Sequence, residues 1–361
     1  MSDETRTLLP ASSLPDESAI AARTLTRRQL LALAASASAG LVLAACAPAA
    51  APAAPPTIAP PETTKIRIAC NSCDAPIMAA ESYLREEGFT DVQISDAATL
   101  TALTDGKVDM GNLFPPAYAA ALEGGLRVVG LGGLHAGCIE IWAPQSVASL
   151  KDLRGHTIVV QAKTIRDTVY GNAVMFLKQA GVDPKDVNFV AQSDADVVKL
   201  YLDGKNDAVL VAAAAAEALK ANPANKGHVI FVQNKEEPWS HLDCCLVATT
   251  QDWYRANPIA AKRAMRAILR AEDALTADRA AAAKLATDKG LFGGANNFNN
   301  VRNAVNMLTF NWRDLDADKS LRVSGAILAD TGLMKISVDE LAKSLDLRIL
   351  RELQTELKKS S

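Results

Sequence analysis

From residue 65 onward, short apolar runs of strand length alternate with segments whose apolar residues recur every three or four positions, which confines the chain to sheets layered with helices. Lys65-Ile66-Arg67-Ile68-Ala69 reads as a strand running into a turn at 70–76. A helical pattern follows from Ile77 to Glu87, and Gly88 stops it. Strand patterns at 91–95 and 108–112 and helical ones at 100–103 and 115–122 continue the series, and 127–143 holds two strand-like runs around Gly132-Gly133-Leu134-His135-Ala136-Gly137. Strands are expected again at 157–161, 187–190, 208–211 and 229–232, with a helix ending near Ala180. Beyond Pro258 the pattern is almost wholly helical, at 258–285, 301–308, 321–331 and 338–358. The alternation predicts an α/β chain with parallel-rich sheets covered by helices on both faces. About 297 residues follow residue 64, enough for two packed lobes.

The first 64 residues read differently. Arg27-Arg28-Gln29-Leu30-Leu31 precedes an uncharged stretch that ends in Leu43-Ala44-Ala45-Cys46. Twin arginines, an apolar segment, small residues and then cysteine resemble a twin-arginine export signal of a lipoprotein, cleaved before Cys46 and lipidated on its sulfur. The stretch from Leu30 to Ala45 is shorter than the roughly 20 apolar residues a membrane span needs. Residues 47–64 are almost all Ala, Pro and Thr, a composition that stays extended as a tether. The expected organisation is a signal at 1–46, a linker at 47–64 and a globular body from 65.

The net charge is −3 with both signs mixed, and no basic stripe interleaves with aromatics, so nucleic acid is not an expected partner. After residue 64 no apolar run reaches spanning length. The only expected membrane contact is the lipid on Cys46.

Three stretches then carry a family likeness: SLKDLRGHTIVV at 149–160, LYLDGKNDAVLV at 200–211 and CLVATTQDWYRANPIAAKRAMRAI at 245–268. In this order and spacing they resemble the solute-binding proteins of ABC importers. More narrowly, they resemble the group that binds nitrate, bicarbonate, taurine, alkanesulfonates and thiamin pyrimidine precursors. The resemblance covers most of 65–285. It implies a two-lobed periplasmic-binding-protein fold of type II-like topology whose lobes close about two hinge crossings. The crossings are expected near 143–144 and 248–249, giving one lobe from 65–143 plus 249–361 and another from 144–248. It also implies a monomer that captures a small solute and delivers it to an ABC permease and its ATPase, without enzymatic activity and without a cofactor.

In open parallel sheets the carboxyl ends of strands face a crevice, and helix N-termini direct N–H groups into it. By that rule 70–76, 112–116, 134–138, 161–168, 192–193 and 212–213 line the cleft, and the candidate ligand-binding residues are Cys70, Ser72, Asp74, Asn112, Phe114, Tyr118, His135, Cys138, Lys163, Thr164, Arg166, Tyr170, Ser193 and His241. Lys163 and Arg166 could meet an anion; solvated side chains are the plain alternative. Thr164, Asp167 and Thr168 sit where a helix begins and could equally be caps. Phe114, Tyr118, Tyr170 and Trp239 could hold a flat heterocycle such as a pyrimidine or flavin, or pack in the core.

Without Cys46, five cysteines remain: Cys70, Cys73, Cys138, Cys244 and Cys245. An odd number in a compartment that permits disulfides leaves at least one free or paired elsewhere. Cys70-x-x-Cys73, His135-x-x-Cys138 and His241-x-x-Cys244 have metal-ligand spacing, so His135, Cys138, His241 and Cys244 are candidate ligands of a soft metal. Disulfides and inert packing remain open beside that reading. The alternative function class is an enzyme resembling the fungal pyrimidine synthases of the thiamin pathway, which use a histidine and a cysteine-rich iron motif on this fold. The longer cysteine run of those enzymes is missing here. A binder of a metal or metal complex through the same His/Cys cluster is the other alternative.

Overall fold

Ile66, Ile68 and Ala69 are fully buried on β1 (Lys65–Cys70), an interior strand of a first sheet. The computed structural model describes residues 59–70, 74–193, 196–288 and 298–358. The twin arginines, Cys46, Ser72 and Cys73 lie outside the described residues. β1 pairs in parallel with β2 (Asp91–Asp96) and with β3 (Met110–Leu113). β11 (Leu246–Thr250) lies between β3 and β4 (Val128–Gly133) and runs antiparallel to both, so the sheet order is β2-β1-β3-β11-β4.

A second group of strands holds β6 (Ile139–Ala143) between β9 (Val209–Ala212) and β10 (His228–Val232), both antiparallel to it. β7 (Thr157–Val160) pairs in parallel with β8 (Asn188–Ala191). Side chains join this pair to the approach of β9: Thr157 N–H donates to Asp207 Oδ2 at 2.7 Å and Val159 N–H to the buried Asn206 Oδ1 at 2.9 Å.

The pairings move the expected crossings. Residues 139–143, read above with the first lobe, hydrogen-bond to the second group of strands, so the chain leaves the first sheet at Gly133 and crosses through 134–138. It returns through 233–245, and all of β11 lies in the first sheet. Residues 139–143 are buried throughout. A strand covered on both faces carries no alternation to say which sheet it joins.

The helix Pro258–Ala277 lays Ala261, Ala264, Met265, Ile268 and Leu269 against the core at helical spacing. Its other side carries Arg266, whose guanidinium bonds the buried Glu87 at 3.0 Å and Glu356 at 2.7 Å. The C-terminal segment folds back over the first crossing, where β12 (Thr309–Phe310) pairs antiparallel with β5 (His135–Ala136). Among the described residues no helix is long and apolar enough to cross a membrane.

Candidate functional site

β1 and β3 end, and the reversed β11 begins, at one edge of the first sheet, so Cys70, Asn112 and Cys245 meet there although 175 positions separate the first from the last. The two crossings pass the same edge. Cys244 N–H donates to His135 C=O at 2.9 Å, which fixes one crossing against the other. Gly137 allows the approach: its φ is +71° and an added Cβ would strike Asn234, backbone included.

The side chains there form one buried cluster. Asn112 Nδ2 donates to Asp74 Oδ1 and to Cys245 Sγ, the latter at 3.3 Å. Cys245 Sγ lies 3.6 Å from His135 Nε2, and Cys138 Sγ lies 2.8 Å from Cys244 Sγ. The other His135 nitrogen faces Gly137 C=O at 3.0 Å, while Phe310 meets the ring edge-on at 6.3 Å between centroids. Burial favours a neutral His135, yet the charges of Cys245, Cys138 and Asp74 outweigh it and push the ring up to about 10. The hydrogen bond from Cys244, then the charge on His135, bring the Cys245 thiol down to about 7 against its burial. Burial, followed by its sulfur neighbours, drives Cys244 well up. The geometry sets an imidazole nitrogen and a thiol side by side in a dry setting.

Two buried acids adjoin it. Asp243 packs against Gly133, where any Cβ would overlap its carboxylate, and Ser320 Oγ–H donates to its Oδ2 at 3.1 Å. Burial, partly offset by Ser320 and His135, pushes Asp243 up to about 7. Glu272 accepts from Trp312 N–H at 3.1 Å, and burial drives it well above the carboxylate range.

In front of the cluster is a cavity of about 350 Å³. On the side of the first sheet it is lined by Asn112 and by Thr99, Phe114 and Ala117 of the loops and helices that follow its strands, and on the side of the second group of strands by Ala212 with Arg166 and Thr168. Asn112 Oδ1 and Thr99 Oγ1 are buried there and have no hydrogen-bond partner among the described residues. Such atoms cost about 1–3 kcal/mol each unless something satisfies them. Two cavities are larger. One of about 1170 Å³ lies at the amino end of β4, where Arg127 is paired with Asp252 and Arg348 with Asp346. Another of about 590 Å³ takes in Lys163 and Tyr170, along with the ion pair Lys178–Asp330. Of these three, the 350 Å³ cavity is the one at the carboxyl ends of the first sheet's strands, and size is the weaker criterion.

The sequence-derived candidates therefore separate. Asn112, Phe114 and Arg166 line this cavity. Asp74, His135 and Cys138 lie behind it, and Cys70 is buried at the end of β1 with its Sγ 3.5 Å from Ser95 C=O. Tyr118 does not face the cavity, because its hydroxyl is taken by Ser344 Oγ at 2.8 Å. Lys163 and Tyr170 open on the second cavity instead. Thr164 and Ser193 are exposed outside the site, and the capping role belongs to Asp167, which accepts from Val169 and Tyr170 N–H. Trp239 is core, edge-on to Phe176 at 5.0 Å. His241 is 72 % exposed and paired with Glu237 at 3.1 Å, so it does not join the cluster that its spacing to Cys244 suggested. The three-residue helical turn Trp239–His241 points it outward. Among the described residues, the ligand atoms that could jointly hold a metal belong to His135, Cys244 and Cys245, all within 4.8 Å of one another.

Sequence reasoning missed Thr99, Asp243, Glu272 and Ser320. The turn after β2 is a strand carboxyl end like those singled out, which was the available signal for Thr99. Glu272 follows Ile268 by four positions and Leu269 by three, placing an acid on an apolar helix face.

The chain is similar in fold to the alkanesulfonate-binding protein SsuA of Xanthomonas axonopodis pv. citri bound to MOPS, with a TM-score of 0.64 and 16% identity over 79% of this chain and 98% of that one. It is likewise similar to the periplasmic nitrate-binding protein NrtA of Synechocystis PCC 6803, with a TM-score of 0.66 and 14% identity over 83% and 90% of the two chains. A desulfurization enzyme, DszB, shares the fold at a TM-score of 0.56 and 16% identity over 81% and 99%. No curated protein sequence matches. The architecture is thus the periplasmic-binding-protein fold. A family model described as NMT1/THI5 like matches residues 75–282, more than half of the chain, and the protein belongs to that family.

Proposed function

We infer that this protein is a solute-binding lipoprotein of an ABC importer, held outside the cytoplasmic membrane by a lipid on Cys46, and that it takes up a small anionic solute. The observation that carries this reading is the 350 Å³ cavity between the two groups of strands, with Asn112 Oδ1 and Thr99 Oγ1 buried and unsatisfied and Arg166 at its wall. A guanidinium suits a planar or tetrahedral oxoanion. The Thr99 hydroxyl can donate to such a ligand, whereas Asn112 Oδ1 only accepts and would be met by a donor on the rest of the solute, not by the oxoanion group itself. Of the four aromatics that could clamp a ring, only Phe114 borders the cavity, which favours a sulfonate- or nitrate-like anion over a pyrimidine or flavin.

The lobes are 65–133 with 246–361 and 139–232, turning about the crossings 134–138 and 233–245. A monomer would deliver its solute to the permease and ATPase in the closed form. The export signal at 1–46 and the tether at 47–64 complete the reading. The buried His135–Cys245 pair is the feature an enzyme or metal-complex binder would use, but it lies behind Asn112 rather than on the cavity wall.

Calorimetric titration with alkanesulfonates, nitrate and an aminopyrimidine tests the ligand class. The expected result is an anion bound with saturation, weakened at least tenfold by Arg166→Ala; binding of the pyrimidine alone, indifferent to that substitution, would overturn it. Small-angle scattering should show a more compact particle at saturation, and unchanged profiles would count against closure.

A further inference from the structure

The two crossings are the segments on which any motion between the groups of strands must turn, and each carries one cysteine at its closest point. Cys138 ends the first crossing, and Cys244 lies one residue before the end of the second. Their sulfurs lie 2.8 Å apart although 106 positions separate them, and both residues are at most 1 % exposed. The backbones beside them are already fixed together by Cys244 N–H on His135 C=O and by the seat of Gly137 against Asn234. A disulfide, with its bond of about 2.05 Å, needs a movement of less than about 1 Å from this arrangement.

We propose that Cys138 and Cys244 form a disulfide that joins the two crossings into one covalent pivot, with Cys245 kept as a thiol beside it. The neighbouring pair Cys244–Cys245 is the poorer match. Adjacent Cα atoms across a trans peptide are about 3.8 Å apart, below the roughly 4.4–6.8 Å that disulfides span. Cys245 Sγ is moreover engaged by Asn112 Nδ2 at 3.3 Å and faces His135 Nε2 at 3.6 Å.

Oxidation takes place after export, during transient opening of the crossings to solvent, with a low-molecular-weight disulfide such as oxidised glutathione as oxidant. One cysteine thiolate attacks a glutathione sulfur, forming a mixed disulfide and expelling one glutathione thiolate. The second thiolate attacks the protein sulfur of that mixed disulfide and expels the other glutathione thiolate. One protein S–S bond forms, one glutathione S–S bond breaks, and the two electrons and two protons lost by the cysteines end on two glutathione thiols. Closure of the crossings then seals the bond.

The test is disulfide mapping of the full chain isolated without reductant, alkylated under denaturing conditions and digested, with fragmentation to tell Cys244 from Cys245. A linked peptide pair holding Cys138 and Cys244, with Cys245 alkylated, is the expected result. Alkylation of both Cys138 and Cys244, linkage of either to another cysteine, or thiols released together with stoichiometric metal by a chelator would each overturn the assignment. As a second measurement, dithiothreitol should lower the melting temperature of the natural protein by roughly ten degrees, since the bond closes a loop of about a hundred residues. The double variant Cys138→Ala/Cys244→Ala should show no dithiothreitol dependence. An equal response in both proteins would overturn the proposal, and the mapping, done on the natural chain, decides the matter if the variant does not fold.

Discussion

Replacing Gly133 by Ala probes the buried edge of the first sheet with a single methyl group. An added Cβ there would overlap the Asp243 carboxylate and crowd its Cβ. Neither side can retreat freely. Gly133 is held opposite Leu246 in the β4–β11 register, and Asp243 is pinned through its own N–H to Ser320 Oγ at 2.8 Å and through Oδ2 to the same hydroxyl at 3.1 Å. Overpacking of a filled interior costs about 1–3 kcal/mol. Turning the carboxylate away would break the Ser320 hydrogen bond, adding about 1 kcal/mol. Gly133→Ala should therefore destabilise by about 2–4 kcal/mol, seen in urea denaturation as a lower midpoint at unchanged slope. The double variant Gly133→Ala/Asp243→Gly should be more stable than the sum of the single effects by at least about 1 kcal/mol, because the second change removes the group the methyl strikes. A loss below about 1 kcal/mol for Gly133→Ala, or strict additivity in the cycle, would refute the packing argument.

Asp243 also makes stability depend on pH. Its folded value of about 7 exceeds the unfolded value of about 4, so the native state binds the extra proton between them. This contribution is fully present below pH 4 and is lost as pH rises through 7; the difference in unfolding free energy between the natural protein and Asp243→Asn should fall by roughly 1 kcal/mol per pH unit across that window. A flat difference between pH 4 and 7 would count against it. Asn112→Leu should weaken anion binding at least tenfold in calorimetric titration and cost about 1–3 kcal/mol of stability, as it strips a donor from Asp74 and Cys245. His241→Ala, at an exposed ion pair, should move stability by less than about 0.5 kcal/mol and leave the number of reactive thiols unchanged by Ellman titration. Cys46→Ser should release the protein from membranes into the soluble fraction, measured by fractionation.

The alternation of strand and helix patterns made the α/β architecture legible, and the rule about strand carboxyl ends found Asn112, Phe114 and Arg166. What the pattern could not show was direction. Tyr118 and Tyr170 stand close to strand ends as expected, but one hydroxyl goes to Ser344 and the other side chain opens on a different cavity. Local sequence says where an aromatic is, whereas packing decides which way it points. The same limit applies to His241 and Cys244: a spacing of three suits metal ligands only if one regular element carries both, and here a short turn ends between them. Asp243 was passed over because a single acid before two cysteines has no periodic signature. Its role depends on a glycine 110 positions away.

β11 fills the slot between β3 and β4, yet it comes off the ribosome more than a hundred residues after either of them. Until Thr250 has emerged, each of these two strands presents an open edge to its surroundings, rich in buried-type residues such as Leu113, Val128, Val129 and Leu131. Nascent chains and fragments that stop short of 246 would be sticky templates for intermolecular pairing. The sheet behaves as a clasp whose last tooth is made late: its non-local closure makes folding slow, and a cell producing this protein needs to shield the unfinished half for as long as translation takes to reach that strand.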